Sequence, residues 1–313
     1  MITRRNLQQL FDEFLYECEY ARKVRPETLR GYISTFKLFN KLIPETSCEK
    51  ITSQTVVTFF KMLQERKRII GKGIVKVGIK KSTIATYWNK LNTFFKWLIA
   101  KHYIDANPFA ILKYPSPSYE DKKFLKKEEI EKIITAIHIH HNNNIFILKR
   151  NLVLFYLLLF CGLRKEELML LQIGDIDFER RILTVRGETS KSAKTRQVPL
   201  HSLLIMHLQD YVRSRKEYTT AYLLVSSKKD ERLSYDGLKH LVDKLKFYSG
   251  VPFHLHQLRH TFAVNFLKTS NNIAKLRQLL GHKSISMTMS YLRCLPVDEM
   301  RGDIENLSID NLI

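Results

Sequence analysis

The amino-acid sequence predicts a mainly α-helical protein with a small antiparallel β-sheet, divided into two domains. Apolar residues recur at steps of three and four along much of the chain, which is the period of an amphipathic helix. Two short alternating stretches, "RILTVRG" and "RQVPL", are typical of strands. The segment "DANPFAILKYPSPSYEDKK", residues 105–123, contains three prolines, which disfavour a helix and therefore predict a linker. We therefore predict a first domain at residues 1–110, a linker at 111–122 and a second domain at 123–313.

The first domain is predicted to contain four amphipathic helices. The first helix begins near Leu7, and the second opens at Pro26, a residue favoured in the first turn of a helix. Ser53 can cap the third helix, and Ser82 or Thr83 can cap the fourth. Together these four segments predict a small helical domain.

The chain carries a large excess of positive charge. Its 52 lysines and arginines against 31 acidic residues give a net charge of +21, which indicates a polyanionic partner such as nucleic acid. Residues 1–110 are the more basic by density, with 20 lysines and arginines against 9 acidic residues. General solubility is the alternative explanation, but a surface of mixed charge achieves it without so large an excess of one sign.

One stretch of the first domain concentrates this charge. "RKRIIGKGIVKVGIKK", residues 66–81, contains seven basic residues, three glycines and no acidic residue. It is predicted to form a hairpin or a mobile loop, and either form suits contact with phosphate groups, although a merely solvated loop is the alternative. The candidate DNA-binding residues in this stretch are Arg66, Lys67, Arg68, Lys72, Lys76, Lys80 and Lys81.

The cysteines and the apolar segments favour a cytoplasmic protein that does not enter a membrane. The four cysteines are far apart and form no CxxC pair, so neither a zinc module nor a disulfide framework is indicated. The apolar run "LVLFYLLLFCGL" at residues 152–163 is too short to span a bilayer, and the first residues lack a signal-peptide core. The histidine-rich tract at 138–144 has no neighbouring cysteine or acid, which predicts a surface turn and no metal site.

Strong hydrogen-bond donors lie next to apolar anchors in the second domain. Arg164 directly follows the apolar run, so its guanidinium must be paired or face a cleft. Glu167, three residues later, could accept hydrogen bonds from Arg164 and hold it in place. His256 and Arg259 are also three residues apart and would present donors on one helix face. An anion bound there would explain them, because arginine suits bidentate contact with phosphate oxygens.

The order of the motifs resembles the tyrosine recombinases, the phage-integrase and Xer group of site-specific DNA recombinases. The second domain contains G-L-R with a glutamate three residues later, a lysine-bearing segment that ends in V-P-L, then H-x-x-R-H and L-L-G-H, and a tyrosine nine residues after that last histidine. Each motif alone has an ordinary structural explanation, such as a satisfied core histidine or a packing tyrosine. Their joint occurrence in this order favours the functional interpretation.

The resemblance implies a role for each matching residue. The two arginines would bind the non-bridging oxygens of the scissile phosphate, and the two histidines would complete that cradle. The tyrosine would attack the phosphorus, with cations favouring ionisation of a phenol whose free pKa is about 10. The products would be a 3′-phosphotyrosyl bond and a free 5′ hydroxyl, formed without ATP or any cofactor. The catalytic residues so matched are Arg164, Lys191, His256, Arg259, His282 and Tyr291, supported by Glu167 and His260.

The catalytic lysine is the position where the sequence departs from the family pattern. In the family this lysine lies on a β-hairpin, eight residues before the proline of V-P-L, and counting back from Pro199 reaches Lys191. It would protonate the departing 5′ oxygen as a general acid. Lys194 is the competing candidate, because the glycines that usually frame this turn are absent. If Lys194 is not the acid, we expect it to contact DNA.

The resemblance also implies the partners. A helical core-binding domain and a catalytic domain would close round double-stranded DNA as a C-shaped clamp, with helices at 27–44 and 82–100 in the major groove. Four protomers would assemble on DNA and exchange strands through a Holliday junction, while the free protein could be a monomer and an accessory protein could take part. A terminal helix within 296–313 would dock on the neighbouring protomer. We expect no arm-binding domain before the core-binding one, because the first helix begins within a few residues of Met1, and this favours a Xer-like or simple mobile-element recombinase over the larger phage integrases.

Two alternatives remain open from the sequence. A type IB topoisomerase-like enzyme shares the covalent chemistry and would relax supercoiled DNA that lacks a special site. A non-catalytic helix-turn-helix regulator could be built from residues 273–292, although it would leave Arg164 and the lysine-bearing segment unexplained.

Overall fold

The computed structural model describes residues 6–44, 47–70, 73–115, 124–141, 143–190, 193–215 and 218–295. The chain divides into two compact units, Met1–Tyr119 and Glu120–Ile313. The first unit contains α1 (Leu7–Tyr16), a π-helical turn (Glu17–Ala21), α2 (Pro26–Leu42), a 3₁₀ turn (Cys48–Lys50), α3 (Ser53–Glu65), β1 (Lys67–Ile70), β2 (Ile74–Val77) and α4 (Lys81–Ala100).

Aromatic side chains form most of the core of the first unit. The rings of Phe11 and Phe36 stack with centroids 3.7 Å apart, and Phe94 meets both of them edge-on. α1 begins at a capping box in which Asn6 and Gln9 exchange hydrogen bonds of 2.8 and 2.9 Å. The four amphipathic helices predicted for this region are therefore present and packed on one another.

The predicted caps of two helices are wrong. Thr52, not Ser53, is the N-cap of α3, because its hydroxyl accepts from the backbone N–H of Thr55. α4 begins at Lys81 with Lys80 at the capping position, so Ser82 and Thr83 lie inside its first turn. In both cases the N-cap residue lies one to three positions before the polar side chain that suggested the cap, a shift that periodicity does not resolve.

The basic stretch forms a hairpin, the first of the two forms expected. β1 and β2 pair antiparallel, with Lys67 opposite Val77 and Ile69 opposite Val75. The guanidinium of Arg68 donates to the carbonyl of Gly78 at 2.6 and 3.1 Å and thereby fastens the base of the hairpin. Lys72 falls outside the described residues.

The second unit combines eight helices with one three-stranded sheet among the residues that the structure describes. The sheet is antiparallel in the order β3-β4-β5. In chain order, the helices and strands of the second unit are α5 (Lys127–His141), α6 (Ile145–Cys161), α7 (Lys165–Met169), β3 (Ile176–Asp177), β4 (Ile182–Val185), β5 (Arg196–Pro199), α8 (Ser202–Arg213), α9 (Tyr235–Ser249), α10 (Leu255–Ser270), α11 (Ile273–Leu280) and α12 (Ile285–Met289).

This architecture confirms the predicted fold class. β4 and β5 are the two expected strands, and the register places Leu183 opposite Val198. β3, with two residues, was missed because it is too short to show alternation. The core forms around α6, whose apolar run is buried from Leu152 to Leu158. In the described part of the chain, no helix has both the length and the apolar character needed to cross a membrane.

The histidine-rich tract at 138–144 is a turn only in its second half: residues 138–141 end α5, whereas Asn143 lies in a turn. α5 continues to His141, one turn beyond Ile137, which together with Ile133 and Ala136 keeps one face of the helix in the core. The ring of His140 stacks on Tyr248 of α9 with a centroid distance of 3.5 Å. The first half of the tract therefore belongs to a helix packed on its neighbour.

Candidate active site

Arg164 lies at the corner between α6 and α7. Gly162 ends α6 in the left-handed region at φ 57°, and a Cβ there would clash with the ring of Phe262, so only glycine fits this turn. Arg164 is then the N-cap residue of α7. Its backbone N–H donates to Oε2 of Glu167 at 2.9 Å, and its Nη1 donates to Oε1 at 2.8 Å. The spacing of three residues had suggested this pairing.

Glu167 is a buried carboxylate shared by several donors. Its side chain is 1% exposed. Besides those from Arg164, it accepts hydrogen bonds from both Nη atoms of Arg196, at 3.0 and 2.7 Å, and from the hydroxyl of Ser190 at 3.3 Å. Burial raises the pKa of Glu167, but the hydrogen bonds and charges of Arg196 and Arg164 outweigh burial and lower it to about 2. Glu167 is therefore ionised at any physiological pH.

Arg259 is a buried cation fastened to the ends of two other helices. It lies on α10 and is 1% exposed. Its Nη1 donates to the carbonyl of Gly162 at 2.5 Å, and its Nη2 donates to the carbonyl of Leu280 at 2.7 Å. Helix C-termini carry partial negative charge, which suits a cation. Burial first, and then the charge of Arg164, lower the pKa of Arg259 to about 10, so it remains protonated at neutral pH.

His282 follows the end of α11 and joins Arg259. Gly281 closes α11 in the left-handed region at φ 62°. The next residue, His282, places Nε2 at 3.2 Å from Nη2 of Arg259 and Nδ1 at 2.9 Å from the hydroxyl of Thr288. The contact with Thr288 orients the imidazole, so that its other nitrogen meets the arginine.

Tyr291 completes the cluster from beyond α12. Its hydroxyl lies 3.1 Å from Nδ1 of His260, and its ring lies parallel to that of His282 with centroids 6.2 Å apart. The side chain is 1% exposed. We expected neighbouring cations to favour ionisation of the phenol, but its pKa is raised, because burial outweighs the charge of Arg259. In this structure the phenol is therefore enclosed and neutral.

His256 reaches the cluster through a second histidine. It is exposed on the first turn of α10, whereas Arg259 of the same helix is buried. The ring of His256 meets that of His260 edge-on at 4.3 Å, and His260 in turn contacts Tyr291. The rings of these three residues thus form a row from the surface to the buried phenol.

The structure describes only one of the two candidate catalytic lysines. Lys191 lies outside the described residues. Lys194 is exposed and borders an open pocket of about 300 Å³ that also reaches His282. The pocket suits an anion, because its lining is rich in cations. It is formed by Lys194, Thr195, Arg196, Arg277, Gln278, Gly281, His282 and Lys283.

Three further residues contact the site residues and were not predicted from the sequence: Arg196, Ser190 and Thr288. A signal for Arg196 was present, because alternate residues of a strand share one face and Val198 of the same strand is buried. An arginine on a core-facing position needs a buried counter-charge, which Glu167 supplies. Ser190 and Thr288 gave no such signal, since each becomes relevant only through a contact with a distant segment.

The site brings together two arginines, a histidine and a tyrosine from separate segments of a mainly helical unit. This combination is the one expected of a tyrosine recombinase. The model of the phage integrase family matches residues 123–296, and that of the phage integrase N-terminal SAM-like domain matches residues 10–105. The chain belongs to the phage integrase family.

Individual proteins are similar to this chain in sequence or in fold. The chain is 24% identical to the tyrosine recombinase XerC of Oceanobacillus iheyensis over 294 residues, which cover 91% of each protein. Its fold is similar to the Tn1549 transposon integrase in complex with a circular intermediate DNA, with a TM-score of 0.76 and 19% identity over 96% of this chain and 98% of that one. It is also similar to the XerH recombinase bound to its palindromic difH substrate, with a TM-score of 0.72 and 19% identity over 97% and 90%.

Proposed function

We propose that this chain cuts and rejoins double-stranded DNA at a specific site by transferring a DNA phosphoryl group to Tyr291. The observation that carries the proposal is the convergence of Arg164, Arg259 and His282 next to that phenol. The relatives described above include recombinases bound to DNA, which supports the same substrate class for this chain.

The two arginines would bind the scissile phosphate in different ways. Arg259 is held by two carbonyls and a histidine, so it offers a rigid positive charge. Arg164 is fixed through Nη1 to Glu167, while its Nη2 makes only a long contact of 3.5 Å with the carbonyl of Gly281. This second nitrogen can therefore donate to a phosphate oxygen at small cost, because little is lost when the long contact is replaced. Such preorganised donors stabilise the charge that grows on the phosphoryl oxygens.

Covalent transfer requires that Tyr291 reach the phosphorus and lose its proton. Nδ1 of His260 lies 3.1 Å from the phenol oxygen and can accept that proton when its own hydrogen is on Nε2. The bond from the phenol oxygen to phosphorus then forms as the bond from phosphorus to the 5′ oxygen breaks. Lys191 or Lys194 would protonate the departing oxygen. One ester replaces another, so the step needs neither ATP nor a cofactor.

The remaining parts of the chain would hold DNA and join protomers. We propose that residues 1–110 form the core-binding domain, that 111–122 link it to a catalytic domain at 123–313, and that the two domains clamp the duplex. α2 and α4 would enter the major groove, and the β1–β2 hairpin would contact phosphates. Four protomers would act together in the cytoplasm, as a Xer-like or mobile-element recombinase. The tail at 296–313, predicted to mediate assembly, lies outside the described residues.

Both alternatives are weaker than recombination. α11 and α12 do form two helices with a turn between them, but α12 has only five residues, and the turn carries His282 to Arg259. A helix-turn-helix regulator gives no reason for that contact. A topoisomerase-like enzyme would share the cluster, and the relatives described above are recombinases and an integrase. Relaxation of supercoiled DNA without a recombination site would favour the topoisomerase.

A nicked suicide substrate built from the DNA that flanks this gene tests the proposal. Wild-type protein should form a denaturation-resistant covalent adduct, and Tyr291→Phe should form none, because only the phenol oxygen can bond to phosphorus. Tyr156→Phe is the matched control, since Tyr156 is also a buried tyrosine but lies on α6. An adduct of equal yield from Tyr291→Phe would remove Tyr291 from this role.

A further inference from the structure

We propose that a cavity between α6 and α9 binds a phosphate group and that Arg150 is the principal cation that holds it. The α6–α9 cavity has a volume of about 650 Å³ and is lined by residues of both helices and of the segment 226–234. A cavity of this size accommodates a small ligand. Among the described residues, none that lines it belongs to the candidate active site. The inference therefore does not rest on the proposed function.

Arg150 is a buried cation without an acidic partner in the described part of the chain. It lies on α6 and is 6% exposed. Its Nη1 donates to the carbonyl of Val225 at 2.9 Å, and its Nε and Nη2 donate to Oδ1 of Asn151 at 3.2 and 3.1 Å. These bonds use three of the five N–H groups of a guanidinium. Burial lowers the pKa of Arg150, as expected for a charge that has lost its water.

Two other buried arginines show the counter-charge that Arg150 lacks. Arg196 and Arg259 both reach the carboxylate of Glu167, at 2.7 and 3.9 Å. Moving an ion out of water is costly unless an opposite charge compensates it. The acceptors of Arg150 are an amide and a carbonyl, which carry no net charge. A bound anion would supply the missing compensation.

Asn151 gives a second indication that a partner is missing. It is 1% exposed, and its Oδ1 faces the guanidinium of Arg150. Its Nδ2 is buried and has no hydrogen-bond partner within the ranges that the structure describes. Turning the amide over would place two donors against each other, so Arg150 fixes its orientation. Buried amide nitrogens seldom stay unpaired, and an oxygen of a ligand in the cavity that Asn151 borders would satisfy this one.

The charge of the lining favours a phosphate group over a carboxylate. The cationic residues of the lining are Arg150, Lys228, Lys229, Arg232 and Lys244, and the acidic one is Glu231. A phosphate monoester carries up to two negative charges and three acceptor oxygens, whereas a carboxylate carries one charge and two oxygens. The larger anion therefore matches the excess of cations and the number of free donors better.

The start of α9 adds to this attraction. Ser234 caps the helix by accepting the backbone N–H of Gly237 at 3.0 Å, and both residues border the cavity. The N-terminus of a helix carries partial positive charge and favours anions. Bound DNA or a free phosphorylated molecule can present the same phosphate chemistry, and the experiment below separates these two sources.

Inorganic pyrophosphate is the probe, and the ring of His240 is the local reporter. His240 is exposed and lines the cavity. Its Cε1 proton signal in the NMR spectrum of the full chain, assigned by its loss in His240→Gln, should move with saturation as pyrophosphate is added. Arg150→Gln should weaken this binding about 10- to 100-fold, because a buried, charged hydrogen-bond donor is lost. Pyrophosphate bound beside Arg259 would move the signal of His282 instead.

Matched variants separate the cavity from the overall charge. Lys149→Gln removes one positive charge from the neighbouring residue, which pairs with Asp210 and does not line the cavity, so the affinity should stay within about twofold. Lys244→Gln removes an exposed cation of the lining and should weaken binding about two- to fivefold. Lys239→Gln, on the same helix but outside the lining, should not. This pair of exposed variants decides the matter even if Arg150→Gln fails to fold.

Duplex DNA identifies the source of the phosphate. If the cavity takes a phosphate of the DNA backbone, Arg150→Gln or Lys244→Gln should reduce the slope of log affinity for DNA against log salt by about one, and DNA should displace pyrophosphate at His240. If the ligand is a free phosphorylated molecule, that slope should match wild type while the response of His240 to pyrophosphate remains.

The outcomes that would overturn the inference are specific. One is a His240 signal that pyrophosphate does not move in wild-type protein, together with a salt slope that neither cavity variant changes. Another is an equal loss of pyrophosphate affinity in the cavity variants and in Lys149→Gln and Lys239→Gln, because it would reflect overall charge alone. A loss confined to Arg150→Gln and Lys244→Gln would support the site.

Discussion

Glu17 in the first unit and Glu167 in the second are both held by cations, but they differ in burial. Glu17 accepts hydrogen bonds from Trp97 and Arg22 and pairs with Lys101 at 2.9 Å. Its side chain is 24% exposed, against 1% for Glu167. The pKa of each carboxyl is lowered to about 2. Equal pKa values thus arise in two different environments.

The comparison shows that a lowered pKa measures only the pH-dependent part of what a carboxylate contributes to the fold, and not the cost of removing its side chain from buried partners. At Glu17 the hydrogen bond from Trp97 is the largest influence, followed by those from Lys101 and Arg22, and burial opposes them weakly. At Glu167 burial is the largest influence and raises the pKa, and the arginines outweigh it. Removing Glu17 leaves cations that water can solvate, whereas removing Glu167 leaves buried ones that water cannot reach.

Glu167→Gln should have the largest effect. The change leaves Arg196 and Arg259 buried without their counter-charge, so the free energy of unfolding of the second unit should fall by about 3–5 kcal/mol. Urea denaturation measures the loss, with tyrosine and histidine signals of the second unit as the probe. If Glu17→Gln destabilised the protein as much, the contrast drawn here between the two carboxylates would be wrong.

Acid should produce the next largest difference. The folded-state pKa of Glu167 is about 2, below its ordinary value of 4.5. The pH-dependent part of its contribution is therefore fully present above about pH 4.5 and is lost as the pH falls towards 2, by about 1.4 kcal/mol for each unit of pKa depression. Urea denaturation of wild type between pH 5 and pH 2.5 should show this loss, and Glu167→Gln should show a shallower pH dependence. Parallel curves for the two proteins would contradict it.

Glu17→Gln should have the smallest effect. Partly solvated ion pairs contribute on the order of 1 kcal/mol or less, and salt screens them. The free energy of unfolding should fall by about that amount in dilute buffer, and the difference from wild type should shrink in 1 M salt. The loss from Glu167→Gln should persist at that salt concentration, since its site is buried. A salt-independent loss at Glu17 would mean that its environment is not solvated.

Local patterns predicted much of the fold and part of the site. The helices, the two longer strands and the pairing of Arg164 with Glu167 follow from spacings within a few residues. The three-residue spacing of His256 and Arg259 predicted one shared face, but not that Arg259 would be buried while His256 stays exposed. Which side of that face meets the core depends on neighbours elsewhere in the chain.

The sequence by itself determined the family, the helical class and the residues proposed to carry the chemistry, because ordered motifs and apolar periodicity are properties of short segments. Only the tertiary structure decided that Arg259 binds a carbonyl 97 residues away and Arg196 one 83 residues away. It also decided that Tyr291 is enclosed against His260. The physical reason is that burial and long-range hydrogen bonds arise only when distant segments pack together, and these set the pKa of each group and the geometry of the site.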